Sequence, residues 1–474
     1  MSEIIEVVAA LIVREDRIFA AQRGPGCTHA GLWEFPGGKI ERGEAPRDAL
    51  SREIQEELHV RSYSREFIST RETRDADRTI RVHLYRTIVE STAFECTEHA
   101  RLAWLTLEEA RALEWTQADA AFLEDIADVM ASRRHAMLAR PEALDALPAR
   151  AGGRHIFRAL QRPWDAQRPH YSIGHKCRAL VETQYDTSCL HIAESLQAPD
   201  GTTRIIYELQ DGARVETIHM PRDVKTPRVT LCVSSQVGCA MNCAFCATAT
   251  LGFRRNLTAA EIVQQVTVAL DTYGPHETHQ VNLVFMGMGE ALMNVSHVTE
   301  AIEILSHPYG LNIPAVRMTL STSGVLDGLD ALKSLSCRPN LAVSINATTD
   351  EMRTRLMPIT RKYGLGAIRA ALESWPYRPH EKVLLEYVLL SGVNDSDEDA
   401  RRLAAFALGL PHNINIIPYN ATPRDAFCAP PAERVAAFIA ILQEAGCFVT
   451  QRVARGVQVG GACGQLLAKR AGRI

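Results

Sequence analysis

Six short apolar runs recur in the last half of the chain, at 229–234, 281–286, 317–321, 341–345, 383–390 and 413–417. Helical stretches separate them. Such alternation builds a parallel sheet or barrel, because parallel neighbours must be joined by a crossover that a helix fills. The whole chain has 474 residues, about three domains' worth at ~150 residues each. Its hydrophobic fraction of 46% and charged fraction of 23% exclude disorder, collagen and coiled coil as global descriptions. The first apolar run, Val7–Val13, is far shorter than the ~20 residues that span a bilayer. Glu3 and Glu6 precede it where a secretory leader carries basic residues. A cytoplasmic protein without a membrane partner is expected.

The N-terminal part reads differently. Strands are expected at 4–13 and 17–22 with a turn at Glu15-Asp16, then a charged helix over Pro46–Leu58. Strands at about 79–90 and 102–105 and a helix over about 118–132 follow. Residues 133–153 are rich in Arg, Ala and Pro and read as a linker. Residues 154–226 are polar and poorly patterned, apart from a hairpin turning at Asp211-Gly212. The expected domains are therefore 1–132, an accessory region over 154–226, and a core over 227–474. Charge follows this division. Residues 1–132 hold 16 Lys+Arg and 25 Asp+Glu, a net of -9, and the remainder carries +5. Two differently charged parts suggest two tasks. The small basic surplus alone is weak support for a nucleic-acid partner, which calls for a concentrated patch.

The acidic helix carries chemistry. Glu53, Glu56 and Glu57 stand at i, i+3 and i+4, so their carboxylates share a helix face. Carboxylate oxygens suit Mg²⁺, and a metal relieves their repulsion. Gly37-Gly38 lets backbone approach the same place, and the set suits metal-assisted attack of water on a diphosphate. A solvated acidic face is the alternative. The full spacing G-x5-E-x7-R-E-I-x-E-E, from Gly38 to Glu57, resembles the Nudix box. WEFPGGK (33–39) and EWTQAD (114–119) resemble MutT-like pyrophosphohydrolases of damaged nucleotides. The resemblance implies an α/β/α sandwich over 1–132 that cleaves a nucleoside triphosphate to monophosphate and pyrophosphate. It assigns Mg²⁺ to Glu53, Glu56, Glu57 and the Gly37 carbonyl, with Glu98 adding a carboxylate and Glu57 binding most closely. It places the nucleotide on Arg23, Glu34, Phe35 and Asp119. Two positions depart from the family: His59 replaces a Gly, and Ala45 takes a usual Thr cap position. A module that only binds nucleotide or RNA is the other reading.

The twelve cysteines do not form a secreted framework, because three crowd together as Cys239-x3-Cys243-x2-Cys246. Three thiolates on one loop suit an iron–sulfur cluster, whereas structural zinc takes a fourth protein ligand. Buried unmodified cysteines are the plainer alternative.

This spacing is the radical S-adenosylmethionine (SAM) signature. LCVSSQVGCAMNCAFCATATLGFRRNL (231–257) resembles the RlmN/Cfr family of ribosomal-RNA adenosine methyltransferases. GMGEALMN, TLSTSG, VSINATTDEMRTRLMPI, IIPYNATP and ACGQL follow in family order over about 215–470. FRALQ (157–161) faintly resembles the family's small N-terminal RNA-binding domain. The resemblance implies a radical SAM partial (βα)6 barrel, so the expected class is α/β and α+β multidomain. It implies a [4Fe–4S] cluster on Cys239, Cys243 and Cys246. SAM would lie against Gly289, Glu290, Ser321, Ser344, Ile345, Asn346 and Asn420. Cys463 would carry the methyl, Cys232 would be its partner in a transient disulfide, and Glu216 would accept a proton. An external electron donor such as flavodoxin is implied, as is an RNA partner (rRNA or tRNA). The logic of two cysteines is chemical. An adenine C2 or C8 is electrophilic, like the SAM methyl, so direct transfer fails and the methyl must first pass to a thiol and become a radical. Family positions differ at Ala291 (Pro in the family), Asn346 (His) and RGVQVGG (455–461, an acidic stretch). The same chemistry on a free nucleotide or small nucleoside is the alternative.

Overall fold

The computed structural model describes residues 4–14, 17–41, 43–75, 78–89, 94, 99–131, 135–145, 147, 152–162, 173–222, 228–274, 280–421, 427–452, 455–462 and 464–466. Cys463 and Glu98 lie outside them. The chain divides into two compact units, Met1–Arg133 and Arg134–Ile474.

In the first unit the strand Ile4–Leu11 pairs in parallel with Arg78–Val89 and antiparallel with Gly37–Lys39. Its neighbours alternate between two cores. Ala9 and Leu11 pack with Phe122, Leu123 and Ile126 of the helix Gln117–Ala131. Val8, Ala10 and Ile12 pack with Ala49, Leu50, Ile54 and Leu58 of the helix Pro46–Leu58. Successive side chains of a strand point to opposite faces, so an apolar run without polar alternation must be covered on both sides. That makes the helix–sheet–helix sandwich. The helix Pro46–Leu58 matches its expected bounds. It ends at His59 in a left-handed conformation, φ 53°, where an imidazole is tolerated better than most side chains. It begins after Ala45, which gives no side-chain cap. Ala45→Thr is expected to stabilise this unit by about 1 kcal/mol, read as a higher urea midpoint of its transition in the full-length protein.

The second unit is built on one ten-stranded sheet. Arg228–Cys232, Val281–Phe285, Met318–Thr322, Asn340–Ser344, Val383–Leu389, His412–Pro418 and Val449–Gln451 run parallel in that order. The first six are each followed by helix, giving the expected six strand–helix units. The sheet does not close into a barrel; its edges are Val449–Gln451 and His191–Gln197. The accessory region continues this sheet. Arg214–Arg222 pairs antiparallel with Arg228–Cys232, and the hairpin Thr203–Glu208 with Arg214–Arg222 turns at Asp211-Gly212 as read from the sequence. Within the stretch read as a linker, Ala136–Leu138 and Leu144 are buried in the main core of this unit. Among the described residues no helix is long and apolar enough to cross a membrane.

Candidate functional site

Parallel sheets collect functional groups at the carboxyl ends of their strands. Here Phe285, Ser321, Ser344 and Pro418 line a cavity at those ends. Cys239, Cys243 and Cys246 line it too, with Gly289, Glu290, Asn346 and Asn420. Of the residues expected to hold SAM, only Ile345 is not among the lining residues; it is buried, and its amide donates to the Glu386 carbonyl at 2.9 Å. The cysteine loop is fixed by backbone. The Cys239 amide donates to the Gly252 carbonyl at 2.9 Å, Ala244 to Leu356 at 2.8 Å, and Ala247 to Gly464 at 2.7 Å. Gly238 is required at φ 76°, since a Cβ there would lie 1.7 Å from the Gly252 oxygen.

Burial pushes the Cys239 thiol up to about 12 and the Cys243 thiol well above its ordinary value, and the neighbouring cysteines push each further the same way. All three thiols line the one cavity. The described residues hold no three-ligand set closed around a single ion. A cluster does not need one, because each thiolate takes a different iron. The donor set thus fits a three-thiolate cluster. Glu386 adds charge to the cavity wall. Its Oε2 accepts from Ser321 Oγ at 2.9 Å, while the buried Oε1 makes no hydrogen bond and faces Arg452 across 3.5 Å. Glu386 and Arg452 both line the cavity, so this ion pair places a carboxylate and a guanidinium on its wall.

The expected SAM residues differ in how committed they are. Glu290 Oε2 accepts from the Ser323 amide and hydroxyl, both at 2.7 Å, and Oε1 from Leu292 N at 3.2 Å. Its side chain therefore sets the loop, and its backbone is what can meet an amino group. Asn346 sits at φ 55°, its Oδ1 accepts from Val388 N at 2.7 Å, and its carbonyl accepts from Asn394 Nδ2 at 2.7 Å. The family's His is thus replaced by a residue suited to the left-handed turn. Glu216 is fully buried on the strand Arg214–Arg222, where both its oxygens meet Arg204, at 3.0 and 2.5 Å. Arg204 also donates to the Val459 carbonyl at 3.1 Å, which ties this pair to 455–461. Cys232 is buried at the end of its strand, opposite Ile218. No disulfide joins described cysteines, and the expected Cys232–Cys463 bridge falls on Cys463, outside the described residues.

In the first unit Glu57 and Glu53 meet the glycine loop, while Glu56 is exposed. Glu57 Oε2 accepts from Gly37 N at 3.1 Å. A Cβ on Gly38 would lie 2.2 Å from the Glu53 carboxyl carbon. Arg52 binds Glu44 through two bonds of 3.0 Å and also reaches Glu53 at 2.9 Å and the exposed Glu56 at 3.3 Å. Burial pushes the Glu57 carboxyl up to about 8, against the pull of His99. A divalent cation beside Glu57 would offset that cost, yet the described carboxylates form no closed three-ligand set, Glu56 being exposed and paired with Arg52. Arg23, Glu34, Phe35 and Asp119 gather beside these carboxylates. Arg23 pairs with Glu34, and Phe35 packs on Trp115 with centroids 4.9 Å apart. Thr116 Oγ1 donates to Asp119 at 2.5 Å, and burial raises Asp119 to about 7. His99, which the sequence reading passed over, bonds Glu34 at 3.2 Å and stands electrostatically between it and Glu57.

Two family models match, the NUDIX domain over residues 4–126 and the Radical SAM superfamily over 233–404. Among curated relatives, the dual-specificity RNA methyltransferase RlmN of Syntrophobacter fumaroxidans is 39% identical over 316 residues, spanning 67% of this chain and 90% of that one. RlmN of Syntrophotalea carbinolica is 43% identical over 270 residues, 57% and 71% of the two chains. Among solved structures, a radical SAM methyltransferase from Sphaerobacter thermophilus matches with a TM-score of 0.63 at 38% identity, over 67% of this chain and 93% of that one. Fold, cysteine loop and comparisons together define a radical SAM enzyme joined to an N-terminal Nudix domain. More narrowly, the chain belongs to the RlmN family of RNA methyltransferases.

Proposed function

We propose that the second unit methylates a carbon of an adenosine in RNA, C2 of a 23S rRNA-type site in preference to C8, through a methyl-cysteine on Cys463. The cavity at the strand ends carries the reading, because it gathers three thiols with Gly289, Glu290, Ser321, Ser344, Asn346 and Asn420. When bound, the cluster supplies the electron for reductive cleavage of SAM. The chain's own residues do the rest. Glu290 and Ser323 fix the loop on which SAM's amino group rests. Cys463 presents its methyl for hydrogen abstraction and adds it to the base. Cys232 removes the last proton or resolves the adduct, and Glu216 is the proposed proton acceptor. Gly464 lines the cavity, which supports a carrier at the preceding position. Mass spectrometry of RNA nucleosides from cells with and without the protein tests this. A methyladenosine lost from RNA supports it; a methylated free nucleoside lost instead moves the substrate to a small nucleotide.

For the first unit we propose Mg²⁺-dependent hydrolysis of a nucleoside triphosphate to monophosphate and pyrophosphate. Glu53, Glu56, Glu57 and Gly37 would hold the metal, and Arg23, Glu34, Phe35 and Asp119 the nucleotide. Glu57→Gln is expected to lower kcat by a hundredfold or more, on the order of 3 kcal/mol, in a pyrophosphate-release assay of the full-length protein. No turnover by the parent across ordinary and oxidised nucleotides would leave a binding module.

A further inference from the structure

Arg353 is the largest side chain with essentially no exposure. It belongs to the helix Asp350–Leu356, whose end is bonded to the cysteine loop through the Ala244 amide and the Leu356 carbonyl. Its Nε donates to Ile345 O at 3.0 Å and its Nη2 to Ser323 O and Ser344 O at 2.6 and 2.9 Å. Its Nη1 donates to Thr360 Oγ1 at 2.8 Å. Among the described residues none of these partners is a carboxylate. A guanidinium is always charged in practice, and burying an uncompensated charge is expensive. The missing anion is therefore expected within reach. The Leu356 carbonyl that ends its helix accepts from Ala244, the residue after Cys243, at 2.8 Å. Both Ser323 and Ser344 line the same cavity as Cys243.

We propose that Arg353 is the counter-cation of the iron–sulfur cluster and, with the same guanidinium, the brace that fixes the Ser323 and Ser344 walls of the SAM cavity. A cluster held by three thiolates is anionic and becomes more so on reduction, so a buried cation beside it favours the reduced form. The three carbonyls need the planar fork of arginine, which lysine lacks. This rests on the cluster-binding reading for its redox arm; the SAM-binding arm on iron-free protein does not.

The test uses full-length protein and the variants R353M and R353K. Iron content is measured first, then the cluster potential by EPR-monitored titration with dithionite and mediators, then SAM affinity of the iron-free protein by equilibrium dialysis. At the potential that half-reduces the parent cluster, R353M is expected to raise the oxidised-to-reduced ratio at least tenfold, a shift of about 59 mV for one electron. R353K is expected to keep that ratio within threefold while binding SAM at least tenfold more weakly. A parent-like ratio in R353M overturns the counter-cation. Where R353M holds no iron, R353K decides: a ratio shifted tenfold or more, or parent affinity for SAM, overturns the proposal. Failure of the parent itself to take up iron would instead defeat the cluster reading.

Discussion

Cys243→Ala will give a full-length protein that stays colourless after anaerobic reconstitution, retains no cluster iron and releases no 5′-deoxyadenosine from SAM. Burial drives the thiol of the middle cysteine well above the ordinary range. Only the strong bond to a metal can hold a thiolate there. With one of three thiolates gone, the cluster has two protein ligands on a loop whose backbone is already fixed by Cys239, Ala244 and Ala247. No other cysteine lines the cavity among the described residues to replace it. Iron analysis and the visible absorption band check the first part, and chromatography of SAM products the second. Stoichiometric zinc in the parent, with no iron uptake, would remove the radical chemistry altogether.

The parts of the molecule that could be read in advance are those where one period dominates. Val8 to Ile12 are apolar without interruption, and only a strand covered on both faces accommodates that. Glu53, Glu56 and Glu57 sit on a helix whose bounds follow from Pro46 at its start and His59 after its end. Where periods break, the reading failed. Ser62–Asp75 is a fourteen-residue strand, yet its alternation is interrupted by register shifts at Ser64/Glu66 and Phe67/Ser69. A bulge moves every later side chain to the other face. His191–Gln197 is an edge strand with no buried face, so it offers no apolar alternation to find. Ala136–Ala139 and Leu144 are buried in pieces too short to show a period, and Arg and Pro around them suggested a linker.

The same reasoning applies to the site. Motifs located the thiols and the glycine loops because their spacing is unusual. Arg353 was passed over because it stands in DEMRTRL, where four of seven residues are charged. Its signal was positional: Arg353 shares the i, i+3, i+4 face with Leu356 and Met357, both buried. Glu386 carried a comparable signal, a carboxylate inside the apolar strand Val383–Leu389. His99 had none, since it matters through its bond to Glu34, which is distant in sequence.

Cys232→Ala and Cys463→Ala will both abolish RNA methylation, by at least a thousandfold or on the order of 4 kcal/mol, but they will stop at different points. Cys463→Ala removes the methyl carrier, so the variant binds SAM and iron normally and methylates nothing. Cys232→Ala leaves the carrier in place. Its Cys463 still receives a methyl and the carbon still adds to the base, but the bond to the enzyme is not released. A covalent protein–RNA species should accumulate, seen on a denaturing gel as a band sensitive to both protease and nuclease. The position of Cys232 is consistent with such a late role. It is buried at the end of Arg228–Cys232, paired with Ile218 on one side and Val284 on the other, and two residues from Ser234, whose hydroxyl bonds the Glu216 carbonyl at 2.6 Å. A side chain so placed is shielded from bulk solvent and sits on the same strand pair as the proposed proton acceptor. Were Cys232 only packing, alanine would cost a sulfur's worth of contact and methylation would continue near the parent rate. The band's composition separates substrates as well: one sensitive only to protease, yet carrying a nucleotide mass, would make the partner a free nucleotide rather than RNA. Parent-rate methylation by both variants would leave the cluster and SAM cavity standing and remove the methyl-cysteine route.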